Sequence, residues 1–228
     1  MYRERASMLP HVIAWRSEVE PGDAPTRVLP DGCLDIIWAS GRVFVAGPDT
    51  TAQAPGRAPV GTRLFALRFG SGTGPGVLGL PASELTDRQV PLDQLWPAPD
   101  ARRLAESAEP LAALEAVAAA RWREPDRAMV ALAEAVRAGV TVGAFAERAG
   151  LSARHLQRRS NAAFGYGPKT LHRILRLQRA VALARGGAPF ARVAADAGYA
   201  DQAHLSREVR ALVGVPLSSY LAHANNST

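Results

Sequence analysis

An internal repeat in the C-terminal half most constrains what this chain can fold into. Residues 145–151 read FAERAGL, and residues 193–199, 48 positions later, read VAADAGY. After one inserted residue the offset becomes 49: residues 156–158 (LQR) align with 205–207 (LSR), and 164–165 (FG) with 213–214 (VG). The sequence therefore predicts two copies of one supersecondary unit.

Each copy predicts a helix, a tight turn and a second helix. In the first copy Gly150 can adopt the positive φ that ends a helix sharply, Leu151 fills the corner, and Ser152 is a natural N-cap for the next helix. Gly198 and Asp201 take the glycine and N-cap places in the second copy. We expect two helix-turn-helix units.

Charge is distributed unevenly along the chain. Residues 1–127 carry 14 Arg and 16 acidic residues, a net charge of −2, whereas residues 128–228 carry 12 Arg, Lys169 and five acidic residues, a net charge of +8. A basic module beside a nearly neutral one is typical of polyanion binding, although a merely solvated cationic surface has the same composition. Both repeat copies lie in the basic part.

The second helix of each copy is expected to turn polar side chains outward: Arg154, Gln157, Arg158 and Arg159 in the first copy, and Gln202, His204 and Arg207 in the second. In the major groove Arg can donate two hydrogen bonds to guanine and Gln can pair with adenine. A helix-turn-helix places the N-terminal part of its second helix there. Exposed helices of this composition can also be only solvated, but two copies in register favour DNA reading.

The connector between the copies is predicted as one helix over Lys169–Arg185, with Pro168 in its first turn. Such a helix spans roughly 25 Å at about 1.5 Å per residue. The two recognition helices could then lie about 34 Å apart, one turn of B-DNA. Arg173, Arg176 and Arg179 line this helix, and some of them are expected to contact phosphate.

The first hundred residues predict a β-rich region. Short apolar runs at Cys33–Trp38, Arg42–Ala46 and Arg63–Phe69 are separated by turn signals, which indicates a small sandwich or barrel. From about residue 100 helical patterns begin, with helices expected over Ala101–Arg121 and Asp126–Ala138 and Asp126 as an N-cap. We place the functional boundary near residue 125, within an α+β chain.

The C-terminal region resembles the AraC/XylS DNA-binding domain over about residues 128–222. The motifs that carry the resemblance are LSARHLQR at 151–158, FGYGP at 164–168, LRLQRA at 175–180 and AADAGYADQAHLSR at 194–207. The resemblance implies a monomeric seven-helix module that reads two adjacent major-groove segments. Two positions depart from it, because Ser160 and Val209 stand where the family usually has a buried Phe.

By motif position and cap position, the DNA-binding residues are expected to be Ser152, Arg154, Gln157, Arg158, Arg159, Arg176, Asp201, Gln202, His204, Ser206 and Arg207. The resemblance implies double-stranded promoter DNA as the partner, with RNA polymerase as a further one. A small-molecule effector and a homodimer stay open. No cofactor, metal site or catalytic residue is expected.

The first region resembles the N-terminal domain found in a subset of these regulators, through residues 29–38 (LPDGCLDIIW), 46–50 (AGPDT) and 80–85 (LPASEL). The resemblance implies a cupin-like sensor or dimerisation domain. We therefore expect a β-rich regulatory domain over residues 1–125, with a helical C-terminal part, and a double helix-turn-helix domain over residues 126–228.

Enzyme interpretations fit the sequence less well. A metal-dependent cupin needs clustered ligands, but His11 is the only histidine in residues 1–127. Residues 74–79 (GPGVLG) match a dinucleotide motif formally, yet Pro81 follows where a long helix should run, so a loop is expected. The alternative that remains is a ligand-binding or enzymatic cupin-like protein with a non-functional basic tail.

Three smaller expectations concern single residues and location. Cys33 is interpreted as a buried structural cysteine rather than a redox sensor, because nothing cationic is near it in sequence. Trp15, Trp38 and Trp96 could line a ligand pocket or fill the core. A single cysteine, no long apolar run and no secretory signal together predict a cytoplasmic protein.

Overall fold

The computed structural model describes residues 2–22, 27–54 and 58–225. Six strands form its first part: β1 (Arg3–Ala6), β2 (Val12–Glu18), β3 (Leu34–Ala39), β4 (Arg42–Ala46), β5 (Arg63–Phe69) and β6 (Gln89–Pro91). They pair in the antiparallel order β1-β2-β5-β3-β4-β6. The strands expected from the apolar runs are confirmed.

Three helices belong to this part, apart from short 3-10 turns: α1 (Gly74–Leu78) lies between β5 and β6, and α2 (Ala98–Ala105) and α3 (Pro110–Arg121) follow β6. Side chains alternate along β3, so that Leu34, Ile36 and Trp38 are buried on one face of the sheet. That face packs against apolar residues of the three helices, among them Leu104 and Leu114. The sheet and its helices therefore share one core.

The α+β class is confirmed, but the sheet is open rather than closed into a barrel, with β1 and β6 at its edges. In the part of the chain that the structure describes, helices and not a second sheet cover its apolar face. The physical reason is that the apolar stripes of α1–α3 bury the inner face of the strands, which removes the need for closure.

Two local predictions in this part are wrong. The helix expected over Ala101–Arg121 is two helices, because Pro110 cannot continue a helix from the preceding turn and instead begins α3 at its first position. The segment Gly74–Leu78, expected as a loop, is the short helix α1, which Gly79 ends with a left-handed conformation (φ 79°).

The described C-terminal region is helical throughout: α4 (Arg127–Arg137), α5 (Val142–Arg148), α6 (Ala153–Phe164), α7 (Pro168–Arg185), α8 (Phe190–Asp196), α9 (Gln202–Val213) and α10 (Leu217–Asn225). The seven helices that the resemblance implied are thus present. Pro168 stands in the first turn of α7, as predicted, and at about 1.5 Å per residue its 18 residues span roughly 27 Å. No described helix is long and apolar enough to cross a bilayer.

The helical region has two apolar cores, each built on one half of α7. The first core includes Met129, Phe164 and Leu171 and extends along α7 to Leu175. The second core begins at Leu177 and takes in residues of α8, α9 and α10. Each helix-turn-helix unit is therefore a separate packing unit on a shared helix.

Candidate nucleic-acid interface

The two helix-turn-helix units have matching geometry. In the first, Gly150 (φ 62°) ends α5, and the Ser152 hydroxyl accepts a hydrogen bond from the His155 amide at 3.3 Å as the N-cap of α6. In the second, Gly198 (φ 78°) follows α8, and the Asp201 carboxylate accepts from the His204 amide at 2.6 Å as the N-cap of α9. The predicted turns and caps are confirmed.

The recognition helices are copies of equal length. Both α6 and α9 contain 12 residues and end at a left-handed glycine, Gly165 (φ 85°) and Gly214 (φ 80°). The inserted residue of the repeat is Ala200, which lies in the longer turn before α9. The offset of 48 before the turn and 49 after it therefore has a structural cause.

The first recognition helix is amphipathic, with one face buried in the core of the unit and the polar side chains of its N-terminal half exposed. Arg154 and Arg158 are exposed and have no ion-pair or hydrogen-bond partner among the described residues. Gln157 is also exposed, and its Nε2 donates to the Asn161 Oδ1 at 3.0 Å. A Cβ at Gly167 would collide with the Gln157 amide, so this side chain lies over the start of α7.

The second recognition helix has the same exposure pattern. Gln202, Ser206 and Arg207 are exposed, and the described part of the chain provides none of them with a partner. His204 is half-buried: its Nδ1 accepts from the Ala200 amide at 3.3 Å, and its ring meets Tyr199 edge to face at 5.3 Å. Of the predicted residues on this helix, Gln202, Ser206 and Arg207 are therefore the ones available to donate to DNA.

Arg159 has an intramolecular partner. Its Nε donates to the Asp126 Oδ2 at 2.7 Å, and its Nη2 pairs with the Asp126 Oδ1. Asp126 is also the N-cap of α4, where its carboxylate accepts from the amides of Ala128 and Met129. The hydrogen bond from Arg159 lowers the pKa of Asp126 below its ordinary value. This arginine ties α6 to the start of α4.

Arg176 is also engaged within the protein. Its side chain is only 16% exposed and lies over the Tyr199 ring at 4.3 Å. Its Nη1 donates to the Gly198 carbonyl at 3.3 Å, and its Nη2 is 3.5 Å from Glu208. The side chain packs α7 against the turn of the second unit.

The two departures from the resemblance lie in the cores of the units. Ser160 is fully buried, and its hydroxyl lies 3.8 Å from the Met129 sulfur, so a methionine from α4 stands beside the small side chain. Val209 is likewise fully buried in the second core. Each unit is therefore packed without the aromatic residue that the family usually has.

The structure brings the predicted site residues to the N-terminal halves of α6 and α9, with Arg159 and Arg176 in the packing behind them. Their assignment to DNA contact stays a prediction. Sequence reasoning missed Thr86 and Gln178, which join the sheet region to the helices: Thr86 Oγ1 donates to the Gly165 carbonyl at 2.9 Å, and Gln178 Nε2 to the Pro30 carbonyl at 2.7 Å. No local motif signals contacts between residues 79 and 148 positions apart.

Of the three tryptophans considered in the sequence, Trp38 and Trp96 belong to the apolar core of the first region, and Trp15 is buried outside it. Trp38 Nε1 donates to the Ala105 carbonyl at 3.0 Å, and Trp15 Nε1 donates to the Asp35 carboxylate at 2.7 Å. Trp96 is also buried. Burial, with Asp31 and Asp35 nearby, raises the pKa of the Cys33 thiol well above its ordinary value, which disfavours a reactive thiolate.

A cleft of about 310 Å³ lies between the β1–β2 turn, residues 122–127 and α4. Its lining includes His11, Trp122, Glu124, Arg127 and Glu134. In the described residues no three His, Cys, Asp or Glu side chains come together as a metal site requires.

Comparison with known protein families gives two matches. Residues 145–223 match a family model described as a helix-turn-helix domain, and residues 8–91 match one described as a domain of unknown function, DUF6597. No curated protein matches the chain.

Several solved structures are similar in fold. A probable AraC family transcriptional regulator from Rhodopseudomonas palustris is 24% identical with a TM-score of 0.38, over 43% of this chain and 98% of that one. ToxT from Vibrio cholerae is 9% identical with a TM-score of 0.49, over 93% and 98% of the two chains. A ToxT structure with a bound unsaturated fatty acid is 12% identical with a TM-score of 0.48, over 97% of each chain.

The helix-turn-helix family match and the paired, exposed, basic recognition helices define the class of protein: the chain is a DNA-binding transcriptional regulator. Its helix-turn-helix domain spans residues 145–223.

Proposed function

We propose that this regulator reads two adjacent major-groove segments of promoter DNA, one with α6 and one with α9. The observation that carries the proposal is the shared exposure pattern of the two helices. Among the described residues, the Arg154, Arg158, Gln202 and Arg207 side chains in their N-terminal halves are exposed and unpaired, whereas the opposite face of each helix is buried. A helix-turn-helix inserts this N-terminal half into the groove.

We assign different roles to the eleven predicted residues. Arg154, Gln157 and Arg158 in α6, and Gln202, Ser206 and Arg207 in α9, contact base edges or phosphates. The remaining five support these helices from within: Ser152 and Asp201 cap them, and Arg159, Arg176 and His204 fix their orientation.

The remaining features of the proposal follow from the predicted organisation. Residues 1–125 form the regulatory part and residues 126–228 the DNA-binding part of a cytoplasmic protein that acts with RNA polymerase and has no catalytic role. Homodimerisation stays a prediction.

Selection of bound fragments from a random double-stranded DNA library, using the full chain, tests the proposal. We expect a motif with two half-sites. Arg158→Ala should relax base preference in one half-site and Arg207→Ala in the other, each at a cost of about 1–3 kcal/mol. Arg103→Ala removes an exposed positive charge from α2 and serves as the control, with both half-sites kept. Equal weakening on all DNA sequences would make these arginines phosphate contacts, and no selected motif would contradict the function.

We also propose that the 310 Å³ cleft takes a small-molecule effector, since it lies between the sheet region and α4 and combines the Trp122 ring with ionisable side chains. A thermal-shift screen of metabolites against the wild type and Trp122→Ala tests this. A compound that stabilises the wild type and not the variant supports it, and equal stabilisation of both places the effector elsewhere.

A further inference from the structure

The two recognition helices do not share a core, so something must fix their relative orientation. Each unit packs on its own half of α7, with the division between Leu175 and Leu177. A helix of 18 residues can bend gently along its length. Because DNA presents its two groove segments at a fixed spacing and rotation, small changes in α7 would misalign one helix when the other is seated.

The sheet domain contacts the first unit at the C-terminal end of its recognition helix. Thr86 Oγ1 donates to the carbonyl of Gly165, the residue that ends α6, at 2.9 Å. The Gly72 backbone lies against the Phe164 ring, since a Cβ there would be 3.0 Å from it. A third contact reaches α4, where Arg137 Nη2 donates to the buried Ser71 hydroxyl at 2.6 Å.

The same domain contacts the second unit at the corresponding end of α9. The Ala52 amide donates to the Leu212 carbonyl, in the last turn of α9, at 2.7 Å. Leu29 and Ala52 also pack against the apolar core of this unit. Beside them, Gln178 on the second half of α7 donates to the Pro30 carbonyl at 2.7 Å.

From these contacts we infer that the sheet domain is a brace that fixes the angle and spacing of α6 and α9. It holds the C-terminal ends of both helices and leaves their N-terminal ends free. Thr86, Gln178 and Leu29 are then positioning residues for DNA reading, although none of them lies on either recognition helix. The inference rests on the proposed function of α6 and α9.

The first experiment measures the distance between the two helices without DNA. Ala162→Cys and Ala211→Cys, both at exposed positions, carry spin labels in a Cys33→Ser background. We expect one narrow distance distribution in the full chain and a clearly broader one when Thr86→Val and Gln178→Ala are added. Leu29→Ala should broaden it independently, and Gln94→Ala, an exposed glutamine away from the interface, should not. If the distance distribution stays narrow both in the Thr86→Val/Gln178→Ala variant and in the Leu29→Ala variant, the inference is overturned.

The second experiment measures half-site spacing. Two selected half-sites are separated by the native spacing or by one or two base pairs more or less. We expect the wild type to lose about tenfold in affinity per inserted base pair, since each one rotates the second site by roughly a tenth of a turn. The Thr86→Val/Gln178→Ala variant should discriminate less than about threefold, with unchanged affinity for a single half-site and an unchanged preference within it.

The outcomes separate the inference from the proposed function. The inference that the sheet domain is a brace is wrong if the Thr86→Val/Gln178→Ala variant keeps the wild-type spacing preference. It is also wrong if the variant loses affinity for a single half-site to the same extent as it loses spacing discrimination. In both cases the proposed DNA recognition by α6 and α9 still stands. If the wild type selects no DNA sequence at all, the proposed function itself fails, whatever the distance measurement shows.

Discussion

Two neighbouring arginines on α6 should behave in opposite ways when each is replaced by alanine. Arg158 is exposed and unpaired among the described residues, whereas Arg159 forms a two-point ion pair with Asp126. A residue-by-residue comparison of stability and DNA affinity therefore separates a DNA-contacting side chain from a structural one, at adjacent positions of the same helix.

The cost of Arg159→Ala follows from the exposure of the pair. Both side chains are about a third exposed, 32% and 33%, so solvent screens the attraction. An exposed ion pair contributes about 0.2–1 kcal/mol, and the two-point geometry favours the upper end. We expect a loss of about 1 kcal/mol in the free energy of unfolding, which lowers the Tm by roughly 2–4 °C at this chain length. Asp126→Ala, which also removes the α4 cap, should cost about 2 kcal/mol.

For Arg158→Ala we expect stability within about 0.5 kcal/mol of the wild type and DNA affinity reduced roughly 5- to 150-fold, the equivalent of about 1–3 kcal/mol. Urea unfolding and fluorescence anisotropy on the selected DNA motif measure the two effects. The result that refutes the reasoning is Arg159→Ala with wild-type stability and the larger loss of affinity.

The pH dependence provides a second check on the same pair. Because the pKa of Asp126 is lowered in the folded state, its pair contributes fully above the ordinary carboxyl value of 3.8 and is lost as pH falls through the lower folded value. The effect of Arg159→Ala on stability should be constant between pH 5 and 8 and should shrink only in strong acid.

Three further predictions use the same assays. Gly47→Ala should lower the free energy of unfolding by at least about 3 kcal/mol, since a Cβ there would overlap the Leu85 carbonyl. Gly143→Ala, which lies in open space within α5, should raise it by about 0.5–1 kcal/mol. Equal effects of the two substitutions would contradict this. Burial raises the pKa of Asp35 to about 6, so this carboxyl reduces stability as pH rises from about 4 to 6, and Asp35→Asn should gain on the wild type across that window; a constant difference would refute it. Arg176→Ala should lower the Tm and leave the salt dependence of DNA binding unchanged, because the guanidinium is engaged within the protein. If the variant instead reduces the slope of log affinity against log salt concentration by about 1, Arg176 contacts a phosphate, as the sequence predicted.

The repeat made the helical region predictable in detail, because its turns and caps are set by local chemistry. Gly150, Ser152, Gly198 and Asp201 each act within a few residues of their position, so their roles follow from spacing alone. Partner choice among the arginines is a different matter. Arg158 and Arg159 are equivalent in the sequence, and only the position of Asp126, 33 residues away, distinguishes them.

The sheet was predictable as strands but not as an architecture. Alternating apolar residues indicate which face of a strand is buried, and they do not indicate what buries it. Whether the inner face of β3 meets a second sheet or a layer of helices depends on α1–α3, and α2 and α3 were themselves merged in the prediction because the helical pattern runs through Pro110.

Glycines at the contact between the two parts carry a signal that turn chemistry alone does not explain. Gly32, Gly72 and Gly165 all have positive φ, which accounts for a glycine in each turn. Asparagine also tolerates that conformation, but a Cβ at Gly72 would be 3.0 Å from the Phe164 ring, and one at Gly165 would be 2.4 Å from the Thr86 hydroxyl. At Gly32 the close neighbour is Ser71 of the sheet domain itself. Gly72 and Gly165 therefore each serve both a turn and a close approach between the sheet domain and the helices. If the brace is correct, Gly165→Asn should be tolerated by the turn and still disturb the spacing preference on DNA, because the new side chain would push α6 away from Thr86. Wild-type spacing in that variant would mean that this contact does not position the helix.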